Sequence, residues 1–149
     1  MKEYLESKVL QQLVLRFFEH LKPVAAICHG VLPVSRSQDA FSEKSVLHDY
    51  RTTALLTKQE HLAFQLTQHW CGDYYLTYPG MTVQNEVTTS LNDPNHFIAG
   101  PIPFRRDTLK HPEWGFTVVD RNDASARWPG DAHALAHAFI RLLEKARDN

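Results

Sequence analysis

The chain has 149 residues, 43% of them hydrophobic and 22% charged, which is typical of one globular domain. Its formal net charge of −1 gives no electrostatic support for binding nucleic acid or an anionic membrane, and no apolar run approaches the length that spans a bilayer. The two cysteines stand in different contexts and no secretory signal peptide is evident, so we expect free thiols and a cytoplasmic protein.

The first predicted element is an amphipathic helix over residues 4–21, whose apolar side chains recur at helical spacing. Lys22 and Pro23 end it, because proline disfavours helical geometry in the residue before it. The apolar run Val24–Ile27 is too short for a helix and suits a strand covered on both faces, as in a parallel sheet. A helix, a buried strand, a sharp turn and a second helix together predict an α/β fold.

The strongest motif follows that strand directly. Cys28, His29 and Gly30 come at the end of the apolar run, an order typical of a nucleophile elbow, in which a tight turn lifts a nucleophile out of a parallel sheet. Helix N-terminal N–H groups would point at the thiol and lower its pKa, so Cys28 should be the more reactive cysteine. We expect His29 to act as its base and the His29 N–H as an oxyanion donor. The alternative is a small buried hydrophobe at a strand end.

The later elements are predicted in chain order as a helix over 31–37, strands over 45–47 and 52–55, a helix from 57 to about 70, a short helix over 83–91 within an otherwise irregular stretch 72–115, strands over 116–119 and 124–127, and a last helix over 130–145. Thr57 followed three residues later by Glu60 predicts a capping box at the start of the helix from 57 to about 70. The last helix is predicted to direct inward Leu135, Ala136, Phe139, Ile140 and Leu143. Trp128 and Pro129 should form its rigid entry.

The stretch from Lys22 to Gly30 resembles the elbow of the ThiJ/PfpI (DJ-1/PfpI) superfamily, which has the class I glutamine amidotransferase-like fold. The preceding helix and residues 125–133 are similar to the same family, so the resemblance covers nearly the whole chain but only the later part of the family's domain. It implies a flavodoxin-like three-layer sandwich with a mainly parallel sheet, incomplete at the N-terminus. The family's first strands, an acidic residue facing the cysteine and a Gly-Gly oxyanion loop would precede Met1.

The resemblance implies a cofactor-independent cysteine enzyme with no metal, acting on a small carbonyl or amide substrate. It would be either glyoxalase-like, converting a 2-oxoaldehyde to a hydroxy acid, or an amidase/peptidase-like hydrolase, with Cys28 as nucleophile and His29 moving the proton. Residues 53–60 resemble the stretch that supplies the third group in the glyoxalase/chaperone branch, which implies that Glu60 orients His29. The alternative is that Glu60 serves only as a helix cap. In the peptidase-like branch, Glu3 and Glu6 would instead be the candidates for the acidic residue.

A second class of function stays open: a non-catalytic oligomeric chaperone or thiol-sensor domain, or an inactive truncated product. The missing first strand would leave Val24–Ile27 with an uncovered apolar edge, so we expect a homo-oligomer or an aggregation-prone chain. His133 and His137 have the i, i+4 spacing of metal ligands but no third ligand nearby, which favours ordinary helix-face residues. Cys71 has no basic neighbour and is predicted to be structural.

Overall fold

A computed structural model describes residues 2–76, 78 and 80–148. Of the irregular stretch predicted over 72–115, positions 77 and 79 lie outside the described residues. The elements are α1 (Lys2–Glu6), α2 (Lys8–Glu19), β1 (Val24–Ile27), α3 (Val31–Ser35), α4 (Thr57–Cys71), α5 (Val83–Thr89), β2 (Thr117–Asp120), β3 (Asp123–Ala126) and α6 (Ala132–Arg147). Across these residues, each helix is too short or too polar to cross a bilayer.

The sheet has three strands in the order β1-β3-β2. β1 and β3 run parallel, with Val24 opposite Asp123 and Ile27 opposite Ala126, whereas β2 and β3 form an antiparallel hairpin. One face of the sheet packs on α6, and the other packs on the cluster that includes residues of α1, α2, α3 and α5. The predicted α/β, flavodoxin-like class is therefore confirmed, as are the bounds of β1.

The predicted N-terminal helix is divided in two at Ser7. The Ser7 hydroxyl accepts a hydrogen bond from the Leu10 N–H at 3.2 Å and so caps the start of α2. Helical spacing alone could not reveal this break, because the apolar pattern continues through it. Leu5, on the α1 side of the break, is fully buried, so the change of direction carries α1 over the core.

The strands predicted over 45–47 and 52–55 do not form. Each segment contributes one isolated bridge, between Gln38 and Ser45 and between Thr52 and Phe97. The central strand β3 already has β1 on one edge and β2 on the other, so its backbone has no free edge for a further strand. The Ser125 side chain holds the second segment instead, since its hydroxyl accepts from the Thr53 N–H at 2.9 Å.

The inward face of α6 differs from the predicted one. The residues it buries are Leu135, Ala138 and Leu142, which recur at i, i+3 and i+7. Ala136, Ile140 and Leu143 are exposed and Phe139 is half-buried, so four of the five predicted inward residues were wrong. Both stripes of this helix are apolar, and only the packing against β1 and β3 selects between them.

A buried ion pair closes the entry to α6. Arg127 and Asp131 are both almost completely buried, and the guanidinium Nε donates to Asp131 Oδ2 at 2.9 Å. The other Asp131 oxygen accepts from the Phe116 N–H at 3.0 Å. Removing only one partner would leave a buried charge without compensation, which costs about 3–5 kcal/mol of stability. Asp131 is the N-cap residue of α6.

Asp123, at the start of β3, should make the stability depend on pH. Burial, followed by the charge of Asp120, raises the pKa of this carboxyl from 3.8 to about 8, so the folded chain keeps a proton that the unfolded chain loses. Between about pH 4 and pH 8 the stability should therefore fall as the pH rises, by at most about 1.4 kcal/mol per pH unit from this group. Asp123→Asn should remove that slope. Urea unfolding of parent and variant across this range measures it.

Asp73→Asn, at an exposed position, is the matched control and should leave the slope unchanged. If parent and Asp123→Asn show the same dependence on pH, the carboxyl of Asp123 is ionised in the folded chain and the argument fails.

Candidate active site

The elbow forms as the motif predicts. Cys28 follows the end of β1 directly. Its φ of 60° lies in the left-handed region that residues other than glycine rarely adopt. A single 3-10 turn, Cys28–Gly30, leads into α3. A backbone conformation of this kind costs on the order of 1–3 kcal/mol and persists only where the surrounding structure imposes it. The helix after it, Val31–Ser35, is two residues shorter than predicted.

Cys28 and His29 are in contact through their side chains. Cys28 Sγ lies 3.5 Å from His29 Nδ1, within hydrogen-bonding range for sulfur. The His29 side chain is buried, and burial lowers its pKa below the ordinary value, so the imidazole is neutral at physiological pH. Within the described structure its Nε2 atom is buried without a hydrogen-bond partner. A neutral imidazole beside a thiol can accept the thiol proton, which is the role expected of a base.

The pKa of the Cys28 thiol is raised to about 11, whereas the motif alone predicted a lowered one. Burial is the main cause and the negative charge of Glu60 adds to it, while the backbone N–H of His29 acts in the opposite direction. Cys28 is thus a neutral thiol at physiological pH. Cys71, predicted to be structural, is exposed at the end of α4.

The negative charge of Glu60 contributes to the raised pKa of Cys28. Glu60 does not form the predicted capping box. The N-cap residue of α4 is Leu56, and the Thr57 hydroxyl is hydrogen-bonded to that of Thr82 at 2.7 Å. The almost completely buried Glu60 carboxylate instead accepts from the Val83 N–H at 2.9 Å, at the start of α5. Glu60 therefore caps a helix distant in sequence, and no hydrogen bond within the described residues joins it to His29.

Trp128 and Thr53 also carry buried polar atoms without hydrogen-bond partners in the described structure. Trp128 packs against the same hydrophobic cluster as Cys28, and its ring lies so close to Gly130 that an added Cβ there would be 2.2 Å from it. The indole Nε1 of Trp128 and the hydroxyl of Thr53, like His29 Nε2, are buried without partners in the described structure. Unsatisfied buried polar atoms are costly, and they are groups that a bound polar molecule could satisfy.

The other candidates lie apart from this arrangement. Glu3 is exposed, and Glu6 accepts a hydrogen bond from the Tyr78 hydroxyl at 2.7 Å. His133 and His137 are half-buried on α6. The part of the chain that the structure describes contains no group of three or more His, Cys, Asp or Glu side chains able to hold a metal ion.

Comparisons with known proteins support the fold at low sequence identity. No protein-family model matches the sequence, and no curated protein matches it. Among solved structures, glyoxalase III from Candida albicans is similar with a TM-score of 0.69 and 18% identity, over 94% of this chain and 51% of that one. The Rapid Encystment Protein of Francisella tularensis is similar with a TM-score of 0.69 and 14% identity, over 95% and 52%. The chain thus spans about half the length of these neighbours, and it has a DJ-1/ThiJ/PfpI-like fold.

Proposed function

We propose that this chain is a cofactor-independent cysteine enzyme that acts on a small 2-oxoaldehyde, with Cys28 as nucleophile and His29 as base. The observation that carries the proposal is the left-handed Cys28 at the strand end, with its sulfur 3.5 Å from a neutral His29 imidazole. Such a backbone is costly for a cysteine that serves only as a hydrophobe. The similarity in fold to a glyoxalase III supports the choice of substrate class over an amide.

The proposed reaction starts from the neutral pair. As the Cys28 sulfur adds to the aldehyde carbon, the thiol proton passes to His29 Nδ1, and the backbone N–H of His29 stabilises the oxyanion. A proton then moves from the former aldehyde carbon to the neighbouring carbonyl carbon, and His29 returns the thiol proton to the oxygen on that carbon, which gives a thioester of a 2-hydroxy acid. Water hydrolyses the thioester, releases the hydroxy acid and regenerates the thiol. The reaction needs no external oxidant or reductant, because one carbon is oxidised as its neighbour is reduced.

In this proposal Glu60 adjusts the electrostatics of the pair. Burial raises the pKa of its carboxyl above the ordinary value, and the hydrogen bond from the Val83 N–H acts in the opposite direction. Its negative charge opposes formation of the Cys28 thiolate, which keeps the resting thiol neutral. When His29 gains the proton, the same negative charge favours the imidazolium.

A second candidate, a non-catalytic holding chaperone, is favoured by exposed apolar side chains. Leu62, Leu66 and Trp70 recur at i, i+4 and i+8 along α4 and are 56%, 62% and 74% exposed. An apolar stripe of this kind can bind unfolded clients without any chemistry at Cys28. Suppression of client aggregation that survives Cys28→Ser but is lost in Leu66→Ser would support this function.

Cys28→Ala should abolish conversion of methylglyoxal to lactate, because it removes the attacking sulfur. Cys71→Ala is the matched control, since it removes the exposed thiol and should retain the parent's rate. Lactate formation followed over time measures both variants. A Cys28→Ala variant as active as its parent would refute the proposed nucleophile, and a folded parent without turnover would refute the substrate class.

Glu60→Gln should make alkylation of Cys28 faster and turnover slower. The amide oxygen can still accept from the Val83 N–H, so stability should change little, while loss of the negative charge lowers the pKa of Cys28. Iodoacetamide should then alkylate Cys28 faster at neutral pH, as peptide mapping would show. Turnover should fall, because the imidazolium loses its stabilising charge.

Thr82→Ala provides the control for Glu60→Gln. It removes the hydroxyl that accepts from the Asn85 N–H at the start of α5 and leaves the charge beside Cys28 in place. It should weaken α5 without accelerating alkylation. Unchanged alkylation and unchanged turnover in Glu60→Gln would mean that Glu60 serves only as the cap of α5.

A further inference from the structure

An ion pair fastens the helix that follows the elbow to α5. Arg36 comes directly after α3, and Glu86 lies on α5. The Arg36 Nη2 donates to Glu86 Oε2 at 2.9 Å, and its Nε donates to the other carboxylate oxygen. Two parallel hydrogen bonds of this kind fix the orientation of the partners as well as their distance. The side chains are 21% and 22% exposed, so water screens the pair less than it screens one on the open surface.

The remaining hydrogen bonds of Arg36 hold it in place relative to the elbow. Its Nη1 donates to the Leu5 carbonyl at 3.2 Å and to the Tyr78 hydroxyl at 3.1 Å. Its backbone N–H donates to the Leu32 carbonyl at 2.9 Å, which continues the hydrogen bonding of α3. Because α3 follows the turn at Cys28 without interruption and all five of its residues are buried, the position of Arg36 is tied to that of the thiol.

The start of α5 is joined to the start of α4, where Glu60 lies. Besides the hydrogen bond from the Val83 N–H to the Glu60 carboxylate, the hydroxyls of Thr82 and Thr57 are bonded at 2.7 Å. The Thr57 N–H donates to the side-chain oxygen of Gln84 at 2.9 Å. The place of the Glu60 carboxylate therefore depends on where α5 lies.

These contacts form a continuous path from the elbow through α3, the ion pair and α5 to Glu60. Val83 and Glu86 lie about one turn apart on α5, so a shift of the helix at Glu86 also moves the N–H that binds Glu60. The helix buries two valines in the core, but apolar packing is non-directional and fixes its position less closely than directed hydrogen bonds do. The path ends at Cys28, because the negative charge of Glu60 acts on that thiol.

We propose that Arg36 and Glu86 are positioning residues for Cys28, which keep the Glu60 carboxylate beside the thiol by fastening α5 to the helix that follows the elbow. Within the described residues, neither side chain is hydrogen-bonded to Cys28 or His29, so both act through Glu60. Their effect on the reactivity of the thiol needs no substrate, whereas their effect on turnover rests on the function proposed above.

Glu86→Ala, in a Cys71→Ser background, tests the proposal on Cys28 alone. Alanine is the best helix former, so α5 itself is not weakened while its fastening is lost. With the Glu60 charge farther away, iodoacetamide should alkylate Cys28 on the order of tenfold faster at about pH 8, as expected if the pKa of the thiol falls by about 1. Arg121→Ala is the matched control, since it removes an arginine–carboxylate pair on the β2–β3 hairpin and should keep the parent's rate. An unchanged rate in a folded Glu86→Ala would overturn the proposal.

Arg36→Ala separates positioning from the direct effect of a charge. Removing a positive charge would by itself raise the pKa of a thiol, whereas loss of the ion pair frees α5 as Glu86→Ala does. We therefore expect faster alkylation in both variants, and opposite changes would overturn the proposal. Arg36→Lys keeps the charge but cannot bind both carboxylate oxygens in parallel, so it should give a smaller acceleration and serves if the alanine variants do not fold.

The double variant Glu60→Gln, Glu86→Ala tests whether the pair acts through Glu60. Once the charge at position 60 is gone, Glu86→Ala should accelerate alkylation no further. Accelerations that add would mean that the pair only limits access to the thiol, and would overturn the proposal. In a parent that converts methylglyoxal, Glu86→Ala should lower kcat and leave KM nearly unchanged. A parent without turnover would refute the proposed function only, because alkylation is measured without substrate.

Discussion

The parallel ladder between β1 and β3 positions every part of the candidate site. It matches four residues of each strand, from Val24 opposite Asp123 to Ile27 opposite Ala126, and it brings together segments about a hundred residues apart. Cys28 follows the end of β1 directly, so the ladder fixes where the thiol leaves the sheet. On β3, the Ser125 hydroxyl holds the backbone of Thr53, in the segment that leads into α4 and Glu60. The positions of Cys28 and Glu60 thus both depend on β3.

The site holds the Cys28–His29 pair in its neutral form. Burial raises the pKa values of Cys28 and Glu60 and lowers that of His29, so each shift disfavours the charged form. Proton transfer from sulfur to imidazole creates two opposite charges from none, and in a poorly solvated site these need nearby dipoles. The His29 N–H already stabilises negative charge on sulfur. The buried His29 Nε2 has no hydrogen-bond partner in the described structure.

The two ends of β3 differ in whether a buried ionisable side chain has a partner of opposite charge. Asp123 begins the strand with a buried oxygen that lacks a hydrogen-bond partner in the described structure, and it responds by keeping its proton to about pH 8. Arg127 follows the strand's other end and is equally buried, but it is paired with Asp131 and also donates to the Pro101 carbonyl. At the second site the two charged groups compensate each other, because each replaces the water that the other has lost.

Local patterns were enough to predict the features that depend on adjacent residues. The bounds of β1, the turn at Cys28, the β2–β3 hairpin and the positions of α4 and α5 follow from apolar runs, helical spacing and turn residues within a few positions of one another. The α/β class follows from their order. Even the contact between Cys28 and His29 is a property of neighbours in sequence, since a tight turn brings the two side chains together.

Tertiary structure alone decided whatever depends on a distant partner. The carboxylate of Glu60 could have capped its own helix, but the Val83 N–H, 23 residues away, lies within its reach. The segment 52–55 has extended character, yet both edges of β3 are taken, so the segment meets this strand only through the Ser125 hydroxyl. Two apolar stripes compete on α6, and contact with the sheet selects Leu135, Ala138 and Leu142. For Cys28, sequence predicts the turn, but burial by residues far along the chain sets the pKa, because desolvation depends on everything that surrounds the sulfur.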